Sequence, residues 1–441
     1  MFTDTSTTAG TAVLNDRYPA LDELADAAHR LAARHPGLCR VRTLGTSRAD
    51  RPLLLLSIGH GDDQVLVVAG AHADEFSARA SVLELAHRAL AQPALQSMVT
   101  WNFLLCLDPD GAHVAEDSRH ARTLPEYFAT FFRPAAEEQP EWAPAVGIDL
   151  PESRILLNLI GELRPRLQFT LHSTDVGGTF IQATRDLPGL ADPFAKSADN
   201  LGIPLDSGSF DTFWLPEPGP GVFVMDPDDI DRQESTTGML ATPGASDATE
   251  TGVRATPWFT PQRHGGDTLI IEVPVWASHP DSTRTVPDAR THLTACADRL
   301  RDRGRQITEL LHTAKPHLTD SPLLRAAQTP LTALRQLADQ WDPQTGGQRL
   351  LKSGLMTSAR LEGIELWAHR LPVRTAALLH RALGPDNPRT ALVAGRFDAL
   401  LREWTGDYEQ RFRPVWIPVA HQAAHQANTV LAAVELGLRE A

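Results

Sequence analysis

Short, nearly continuous apolar runs recur along the first two thirds of the chain. Five of them have the length of buried strands, namely LLLLSIG at 53–59, VLVVAG at 65–70, WNFLLCL at 101–107, LQFTLH at 167–172 and LIIEVPV at 269–275. Strands that are apolar on both sides belong to a sheet that helices cover on both faces. Apolar residues at helical spacing precede the first run, at 21–33, and lie between several of the runs, as at 77–91 and 154–163. The pattern therefore predicts an α/β fold, a three-layer α/β/α sandwich with a mixed central sheet.

The last third of the chain has a different pattern, because past residue 275 the apolar positions recur at helical spacing. A segment around 286–313 could still pack on the sheet, and a break at KPHLTDSP, residues 315–322, separates it from the remaining helical residues. We therefore predict two domains, an α/β domain over residues 1–315 and a smaller all-α region over residues 322–441. The second region is expected to supply no catalytic group, and its helices offer a surface for homo-oligomer formation.

Residues 216–267 interrupt this order of elements. They contain PEPGPG, DPDDID and STTGMLATPGASDATETG, which are rich in turn-forming residues and lack periodicity. Long loops within compact domains are often functional. The segment is therefore either a loose insertion or the lid or wall of a pocket, and the sequence favours neither interpretation.

Composition narrows the kind of partner. The chain has 441 residues, 42% of them hydrophobic and 22% charged, as in a globular protein, and its formal net charge is −14. That charge repels phosphate backbones and anionic lipid, so we expect neither nucleic acid nor a membrane as a partner. Cys39, Cys106 and Cys296 are an odd number without framework spacing. Because the N-terminus lacks export features and no apolar run has membrane length, we expect a cytoplasmic protein that acts on a small molecule or peptide.

Histidine and glutamate side chains follow the apolar runs where a sheet presents ligands. His72 and Glu75 come directly after the second run, and His172 ends the fourth. Two histidines and one glutamate form an open three-ligand zinc site, whose fourth position holds a water molecule. Such a site also needs a carboxylate that accepts the proton of the water. Glu272, inside an otherwise apolar strand, is the candidate, and a buried glutamate paired with an arginine is the alternative.

Two other histidine patterns could imitate this site. A second His-x-x-Glu match, His113 to Glu116, is expected by chance in a chain with 17 histidines. His421 and His425 lie four residues apart on a predicted helix, but no carboxylate or third histidine is near them in the sequence. We interpret both patterns as incidental.

Several motifs, in order, resemble the zinc metallocarboxypeptidase family, whose best-known members are the pancreatic carboxypeptidases. LGTSRADRPLLLLSIG at 44–59 is similar to the G-x-S-x-x-G-R-P lead of the family, with Asp50 in place of the second glycine. GAHADE at 70–75 matches the first zinc motif, and CLDPDG at 106–111 resembles the N-P-D-G turn, with Asp108 in place of asparagine. The resemblance covers about the first 315 residues and implies the fold and the zinc ion of the family.

The resemblance also implies roles for individual residues. His72, Glu75 and His172 would be the zinc ligands, and Glu272 would be the general base. Asp149, in the sequence VGID, falls where the family has an aspartate bound to the first ligand histidine, a contact that fixes the tautomer of the imidazole.

An arginine that binds the oxyanion is part of the same resemblance. After the P-D-G turn the family carries two arginines three residues apart, and the second polarises the scissile carbonyl and holds the oxyanion. Arg119 and Arg122 have this mutual spacing. We therefore predict that Arg122 has the role, with Arg119 and Arg133 as alternatives.

The chain departs from the family where the substrate is recognised. In carboxypeptidases an Asn-Arg pair binds the terminal carboxylate of the substrate, but here Pro151 and Glu152 occupy those positions and Arg154 is the nearest cation. Either Glu152 attracts an ammonium or guanidinium group, or Arg154 takes over the binding of a carboxylate. The tyrosine that the family carries before the base strand is also missing, since the tyrosines of this chain are Tyr18, Tyr127 and Tyr408.

The motifs therefore predict a carboxypeptidase-like, zinc-dependent hydrolase. Its substrate would be a small peptide or an amidated or acylated amino acid, cleaved at an amide bond by a zinc-activated water molecule. A zinc deacylase or esterase whose substrate lacks a free terminal carboxylate is one alternative, and a catalytically silent zinc-binding scaffold is another.

Overall fold

A mixed sheet of nine described strands forms the centre of the molecule. The computed structural model describes residues 16–206, 208–227, 252–278, 288–352, 356–384, 388 and 390–439. The strands in these residues are β1 (Cys39–Thr46), β2 (Pro52–Ile58), β3 (Asp63–Val68), β4 (Val99–Leu104), β5 (Leu167–Gly177), β6 (Phe180–Ala183), β7 (Val222–Val224), β8 (Asp267–Ala277) and β9 (Val415–Trp416). Their order is β1-β2-β4-β3-β5-β8-β6-β7, and β9 pairs with β8. The central strands β4, β3, β5 and β8 are parallel, and the flanking strands β2 and β6 are antiparallel to them.

Helices precede, connect and follow these strands. In the described residues they are α1 (Leu21–Arg34), α2 (Ser77–Ala91), α3 (Pro93–Met98), α4 (Pro109–Val114), α5 (Leu124–Thr130), α6 (Pro151–Leu163), α7 (Ala191–Asn200), α8 (Ala289–Ala314), α9 (Pro322–Trp341), α10 (Gln348–Lys352), α11 (Ser358–Leu383), α12 (Ala391–Phe412) and α13 (Val419–Arg439). None of these helices combines the length and the apolar character that crossing a membrane requires. The cytoplasmic location and the homo-oligomer stay predictions.

Helices cover both faces of the sheet. Leu53 and Leu55 of β2 pack in one apolar cluster with α6. Leu56 and Ile58 of the same strand pack in another cluster, together with α1, α2 and α13. Side chains of a strand point alternately to its two faces, so the two clusters lie on opposite sides of the sheet. The predicted three-layer α/β/α sandwich is confirmed.

The C-terminal helices are built into this architecture. Helix α13 packs on the sheet, where Gln426 Nε2 donates hydrogen bonds to the carbonyl oxygens of His172 at 2.8 Å and of Ile271 at 3.0 Å. Helices α9, α11 and α12 share an apolar cluster with α5 and the end of β8. The predicted boundary between residues 1–315 and 322–441 therefore does not coincide with a break in the packing, because the chain returns to the sheet in its last helix.

Candidate metal site

A tight turn after β3 delivers the first two candidate ligands. Gly70 starts this turn in the left-handed region, at φ 62°, and a Cβ atom at this position would lie 2.8 Å from Cys106 Sγ. His72 and Glu75 follow at the carboxyl end of β3, just before α2 begins. His172 lies in the middle of β5, the parallel neighbour of β3, two residues beyond the last residue of β5 that pairs with β3. Parallel strands end at the same edge of a sheet, so the fold brings the two histidines together.

The three side chains form one cluster. His72 Nδ1 lies 2.8 Å from Glu75 Oε1, His172 Nδ1 lies 2.9 Å from Glu75 Oε2, and the two Nδ1 atoms are 3.1 Å apart. One donor atom of each residue falls within 4.8 Å of the other two. Glu75 and His172 are buried and His72 is half-buried. Two imidazole nitrogens and a carboxylate oxygen that converge in this way suit a zinc ion with an open fourth position.

Glu141 fixes the orientation of His172. Its buried carboxylate lies 3.0 Å from His172 Nε2, so in the neutral imidazole, the form that binds a metal ion, that nitrogen donates to Glu141 and the lone pair is on Nδ1. Burial disfavours the imidazolium, but the carboxylates of Glu75 and Glu141 outweigh it and hold the pKa of His172 well above its usual value. Sequence reasoning assigned such a contact to Asp149 and missed Glu141, whose only signal is a single acid between a proline and a tryptophan.

Arg133 binds the carboxylate of Glu75. Its Nη2 donates to Glu75 Oε1 and its Nε donates to Asp74 Oδ1 at 2.8 Å. The backbone N–H of Ser173 donates to the other oxygen of Glu75 at 3.1 Å. Burial would raise the pKa of Glu75, but the two imidazoles and the guanidinium outweigh it and hold the pKa well below its usual value. Glu75 is therefore an anion, as a metal ligand must be.

Glu272 lies on β8 directly beside His172. The two residues are register partners, and Glu272 lines the same cavity as the three candidate ligands. Its Oε2 has no hydrogen-bond partner among the described residues, and no described arginine forms an ion pair with it. Burial, with a smaller contribution from the charge of Glu75, raises the pKa of Glu272 to about 8. A bound dication would lower this pKa again, so the group is suited to exchange a proton near neutral pH.

A cavity of about 380 Å³ opens beside the candidate ligands. Aromatic rings form much of its wall, namely Phe131, Trp142, Phe180, Phe210, Trp258 and Trp367. The helices past residue 322 contribute Ala326, Thr329, Pro330, Ala333, Trp367, Arg370, Leu371, Arg374 and Leu378. Helices α9 and α11 of the predicted helical region therefore form one wall of the cavity, and that the region supplies no catalytic group stays a prediction.

Two arginines of α11 connect this wall to the ligand-bearing segments. Arg370 Nη2 lies 2.6 Å from Asp175 Oδ1, and Arg374 Nη2 lies 3.2 Å from Asp175 Oδ2 and 3.9 Å from Asp74 Oδ2. Asp175 follows the histidine ligand of β5 by three residues, and Asp74 directly precedes the glutamate ligand. Sequence reasoning missed both arginines. Their signal is two cations four residues apart in WAHRLPVRTAALL, an otherwise apolar helix.

Asp149 and Arg154 lie on the surface and pair with each other. Their side chains are 72% and 58% exposed, and Arg154 Nη2 lies 2.9 Å from Asp149 Oδ2. Neither residue lines the cavity. The prediction that Asp149 supports His72 is therefore wrong, because the chain has already left the edge of the sheet in a turn at 143–146 and Asp149 comes just before α6. Arg154 is likewise not placed to bind a substrate carboxylate.

Glu152 is fully buried at the start of α6. Its Oε1 accepts hydrogen bonds from Arg48 N at 3.0 Å and from Arg48 Nε at 3.1 Å. Pro151 occupies the first turn of the helix, where its missing N–H costs nothing and where the negative charge of Glu152 is favourable. Glu152 therefore anchors the turn between β1 and β2, and the prediction that it binds the substrate is corrected.

Arg122 and Arg119 also lie outside the cavity. The guanidinium carbon of Arg122 lies 4.4 Å from the ring centre of Trp416. Arg119 Nε lies 2.9 Å from Glu116 Oε1. The glutamate of the second His-x-x-Glu match is therefore paired with an arginine. Arg122 is therefore not placed to bind an oxyanion, whereas the alternative Arg133 does line the cavity.

The histidines of the last helix are engaged by protein groups. His425 Nε2 lies 3.0 Å from Thr179 Oγ1, and its Nδ1 lies 3.0 Å from Ser197 Oγ. His421 Nδ1 lies 3.1 Å from the carbonyl oxygen of Leu201. Burial lowers the pKa of His425 to about 3. Both histidines therefore have a structural role in the described part of the chain.

The turn-rich segment 216–267 contributes to the cavity in its described parts. Met225 and Trp258 line the wall. Residues 228–251 lie outside the described residues. For the described parts, the interpretation as a pocket wall therefore holds.

Residues 24–152 match the zinc carboxypeptidase family. Among solved structures, carboxypeptidase A from Helicoverpa armigera is 13% identical, and the match covers 62% of this chain and 68% of that chain at a TM-score of 0.37. A metallo-carboxypeptidase from Burkholderia cenocepacia is 18% identical, with 56% of this chain and 60% of that chain covered at a TM-score of 0.33. Both scores are too low for either likeness to carry the assignment. No curated protein matches the chain.

Proposed function

We propose that this chain, whose residues 24–152 match the zinc carboxypeptidase family, is a zinc-dependent hydrolase that cleaves an amide bond of a small substrate. The substrate would be a peptide or an acylated or amidated amino acid. One observation carries the proposal: the ligand set His72, Glu75 and His172 lines the same cavity as Glu272 and Arg133.

The donor set fits a zinc ion. Glu141 holds the Nε2–H of His172 and so directs Nδ1 towards the other two ligands, which is the arrangement that metal-binding histidines have. When bound, zinc would act as a Lewis acid that polarises the amide carbonyl and acidifies a water molecule. The side chains of the protein then have to move protons and stabilise the developing negative charge.

In this proposal Glu272 and Arg133 carry out these two tasks. Glu272 accepts the proton of the attacking water and passes it to the departing amine, since no described arginine holds its carboxylate in an ion pair. Arg133 donates to the oxyanion, and its bond to Asp74 holds the guanidinium in place at the cavity wall.

A deacylase or esterase is the second candidate function, and its substrates lack a free terminal carboxylate. The described arginines that line the cavity all carry ion pairs, Arg133 with Asp74 and both Arg370 and Arg374 with Asp175. The residues at the positions where the family binds a carboxylate lie elsewhere in the fold. This arrangement favours a substrate that the protein recognises without binding a terminal carboxylate.

A substrate panel tests both candidates. The zinc-loaded full chain is assayed with matched acyl-dipeptides that have free or amidated C-termini, and the Glu272→Gln variant reports the background. Cleavage of the free acids supports a carboxypeptidase, and cleavage confined to the amides supports the second class. Absence of turnover on all of them, with zinc bound, would leave the silent scaffold as the better account.

A further inference from the structure

Asp211 is a carboxylate of the cavity that forms no ion pair with a described cation. Three carboxylates of the described residues line the cavity, those of Glu75, Asp211 and Glu272. Glu75 is bound by Arg133 and by two imidazoles, and Glu272 has the proposed role of the general base beside the metal ligands. Among the described residues, the side chain of Asp211 accepts a hydrogen bond from Ser209 Oγ at 3.2 Å and forms no ion pair.

The position of Asp211 is built into the fold. It lies in a short 3-10 turn, Phe210–Thr212, whose main chain is held by a hydrogen bond from Gln182 Nε2 to Asp211 O at 3.1 Å. The turn follows Gly208, whose carbonyl lies so close to Gly363 of α11 that a Cβ atom there would overlap it. The turn is therefore fixed between β6 on one side and α11 on the other.

The nearest described cation has another partner. Arg370 is close enough for its charge to lower the pKa of Asp211, although burial has the larger effect and raises that pKa. The guanidinium of Arg370 is held by Asp175 at 2.6 Å, by Thr174 Oγ1 at 2.8 Å and by the carbonyl oxygen of Val176 at 2.7 Å. These contacts hold Arg370 in an ion pair with Asp175, and the carboxylate of Asp211 lines the cavity without an ion-pair partner among the described residues.

Aromatic rings line the same cavity as this carboxylate. The ring of Phe210 lies 5.4 Å from that of Trp341 and 5.8 Å from that of Trp367, measured between ring centres. Phe210, Trp367 and Trp258 line the same cavity. The faces of such rings attract organic cations, and a neighbouring carboxylate adds a hydrogen-bond acceptor for them.

We propose that Asp211 binds a cationic group of the substrate, an ammonium or a guanidinium, while the aromatic wall contacts the apolar part that carries this group. The inference rests on the proposed function, because the ligand is a substrate only if the protein is a hydrolase. It assigns to Asp211 the recognition that the sequence suggested for Glu152.

The inference is tested by comparing the binding of two ligands whose ends are both uncharged and whose side chains differ in charge. Nα-benzoyl-arginine amide and Nα-benzoyl-citrulline amide have the same shape, but the first carries a guanidinium and the second an uncharged urea group. Their affinities are measured by calorimetry on the zinc-loaded full chain in the Glu272→Gln background, where hydrolysis does not interfere. We expect the arginine compound to bind about ten- to a hundredfold more tightly.

Variants of two acidic residues locate the preference. Asp211→Asn should bring the affinities of the two ligands together, whereas Asp149→Asn, a surface control outside the cavity, should keep their difference. The inference is overturned if the arginine compound does not bind, if the two ligands bind equally, if Asp211→Asn retains the preference, or if that variant weakens both ligands alike.

The proposed function is tested separately by turnover of the arginine compound and of its free acid in the wild-type chain, together with the substrate panel. A binding preference that depends on Asp211, found with no turnover of any of these compounds, would refute the hydrolase and leave the cation site standing. Turnover without a preference would do the reverse.

Discussion

The edge of the sheet that carries the metal ligands and the helical wall that faces it differ in how their residues are arranged along the chain. His72 and Glu75 lie in one short turn, and His172 ends a run that reads as a strand. The wall is assembled from α9 and α11, roughly two hundred residues further along, whose cavity residues are mostly small or apolar. Sequence motifs therefore identify the residues of the first region, whereas the residues of the second are identified only by their packing in the structure.

The two regions nevertheless work as one unit. Asp175 and Asp74 receive the arginines of α11 directly beside the ligands, so the geometry of the ligand edge depends on a helix that no motif connects to it. The helical region is therefore part of the site and its removal would open the cavity. Changes in the two regions should nevertheless have different signatures, kinetic for the edge and thermodynamic for the wall.

The largest kinetic effect is expected at the edge, for Glu272→Gln. The amide has the shape of the carboxylate but accepts no proton from water, so kcat should fall about 10²- to 10⁴-fold while zinc content and stability stay as in the wild type. Steady-state kinetics and metal analysis measure both. Glu162→Gln, at an exposed position of α6, is the control and should keep its kcat. A kcat for Glu272→Gln within about tenfold of the wild type would make Glu272 a structural residue.

In the wall, Arg370→Met should mainly lower stability. Breaking this buried ion pair leaves Asp175 with Arg374, at 3.2 Å, as its remaining ion-pair partner, so we expect the lower end of the cost of such a loss, about 3 kcal/mol. The free energy of unfolding in urea measures the loss. Arg402→Met removes a similar pair that is exposed, Arg402 with Asp398, and should cost at most about 0.5 kcal/mol. Equal costs for the two variants would contradict the role given to the buried network.

A smaller effect is expected where α11 touches the turn of Asp211. Gly363→Ala places a methyl group against the carbonyl of Gly208, and relieving this overlap should cost about 1–3 kcal/mol and raise KM. Gly395→Ala is the matched control, because a Cβ atom there meets nothing within 4 Å, and it should stabilise helix α12 by up to about 1 kcal/mol. A Gly363→Ala variant as stable as the control would show that α11 does not pin this turn.

The smallest expected change in the free energy of unfolding, counted per pH unit, comes from the buried imidazole of His369 in α11. Both of its nitrogens lack a hydrogen-bond partner, and burial lowers its pKa to about 2. The unfolded chain therefore binds this proton first, at a pKa near 6.5, so stability is retained above pH 6.5 and is lost as the pH falls, by about 1.4 kcal/mol per pH unit. Urea unfolding between pH 7 and 5 should show a shallower loss for His369→Leu. Identical slopes for variant and wild type would refute this.

The same contrast between the two regions limits what the sequence predicts. The strands, the sandwich and the close approach of His72, Glu75 and His172 follow from continuous apolar runs and from the polar residues at their ends, because parallel strands share one edge. Local order along the chain was sufficient for each of them.

The supporting residues could not be found in the same way. Glu152 and Asp149 occupy expected places in the chain, but a proline-started helix turns the first into the core and leaves the second on the surface. Arg133 and Glu141 come from loops whose path depends on tertiary packing. The arginines of α11 meet Asp175 across 195 and 199 positions of the chain, and no periodic pattern encodes such a contact.

Metal content tests the central claim most directly. The full chain is loaded with zinc, dialysed against metal-free buffer and measured by elemental analysis, together with His172→Ala and with His113→Ala, which changes the exposed histidine of the second His-x-x-Glu match. We predict one zinc ion per chain in the wild type and in His113→Ala, and loss of the metal in His172→Ala. Full occupancy in His172→Ala, or equal loss in both variants, would contradict the assignment of His72, Glu75 and His172 as the metal site.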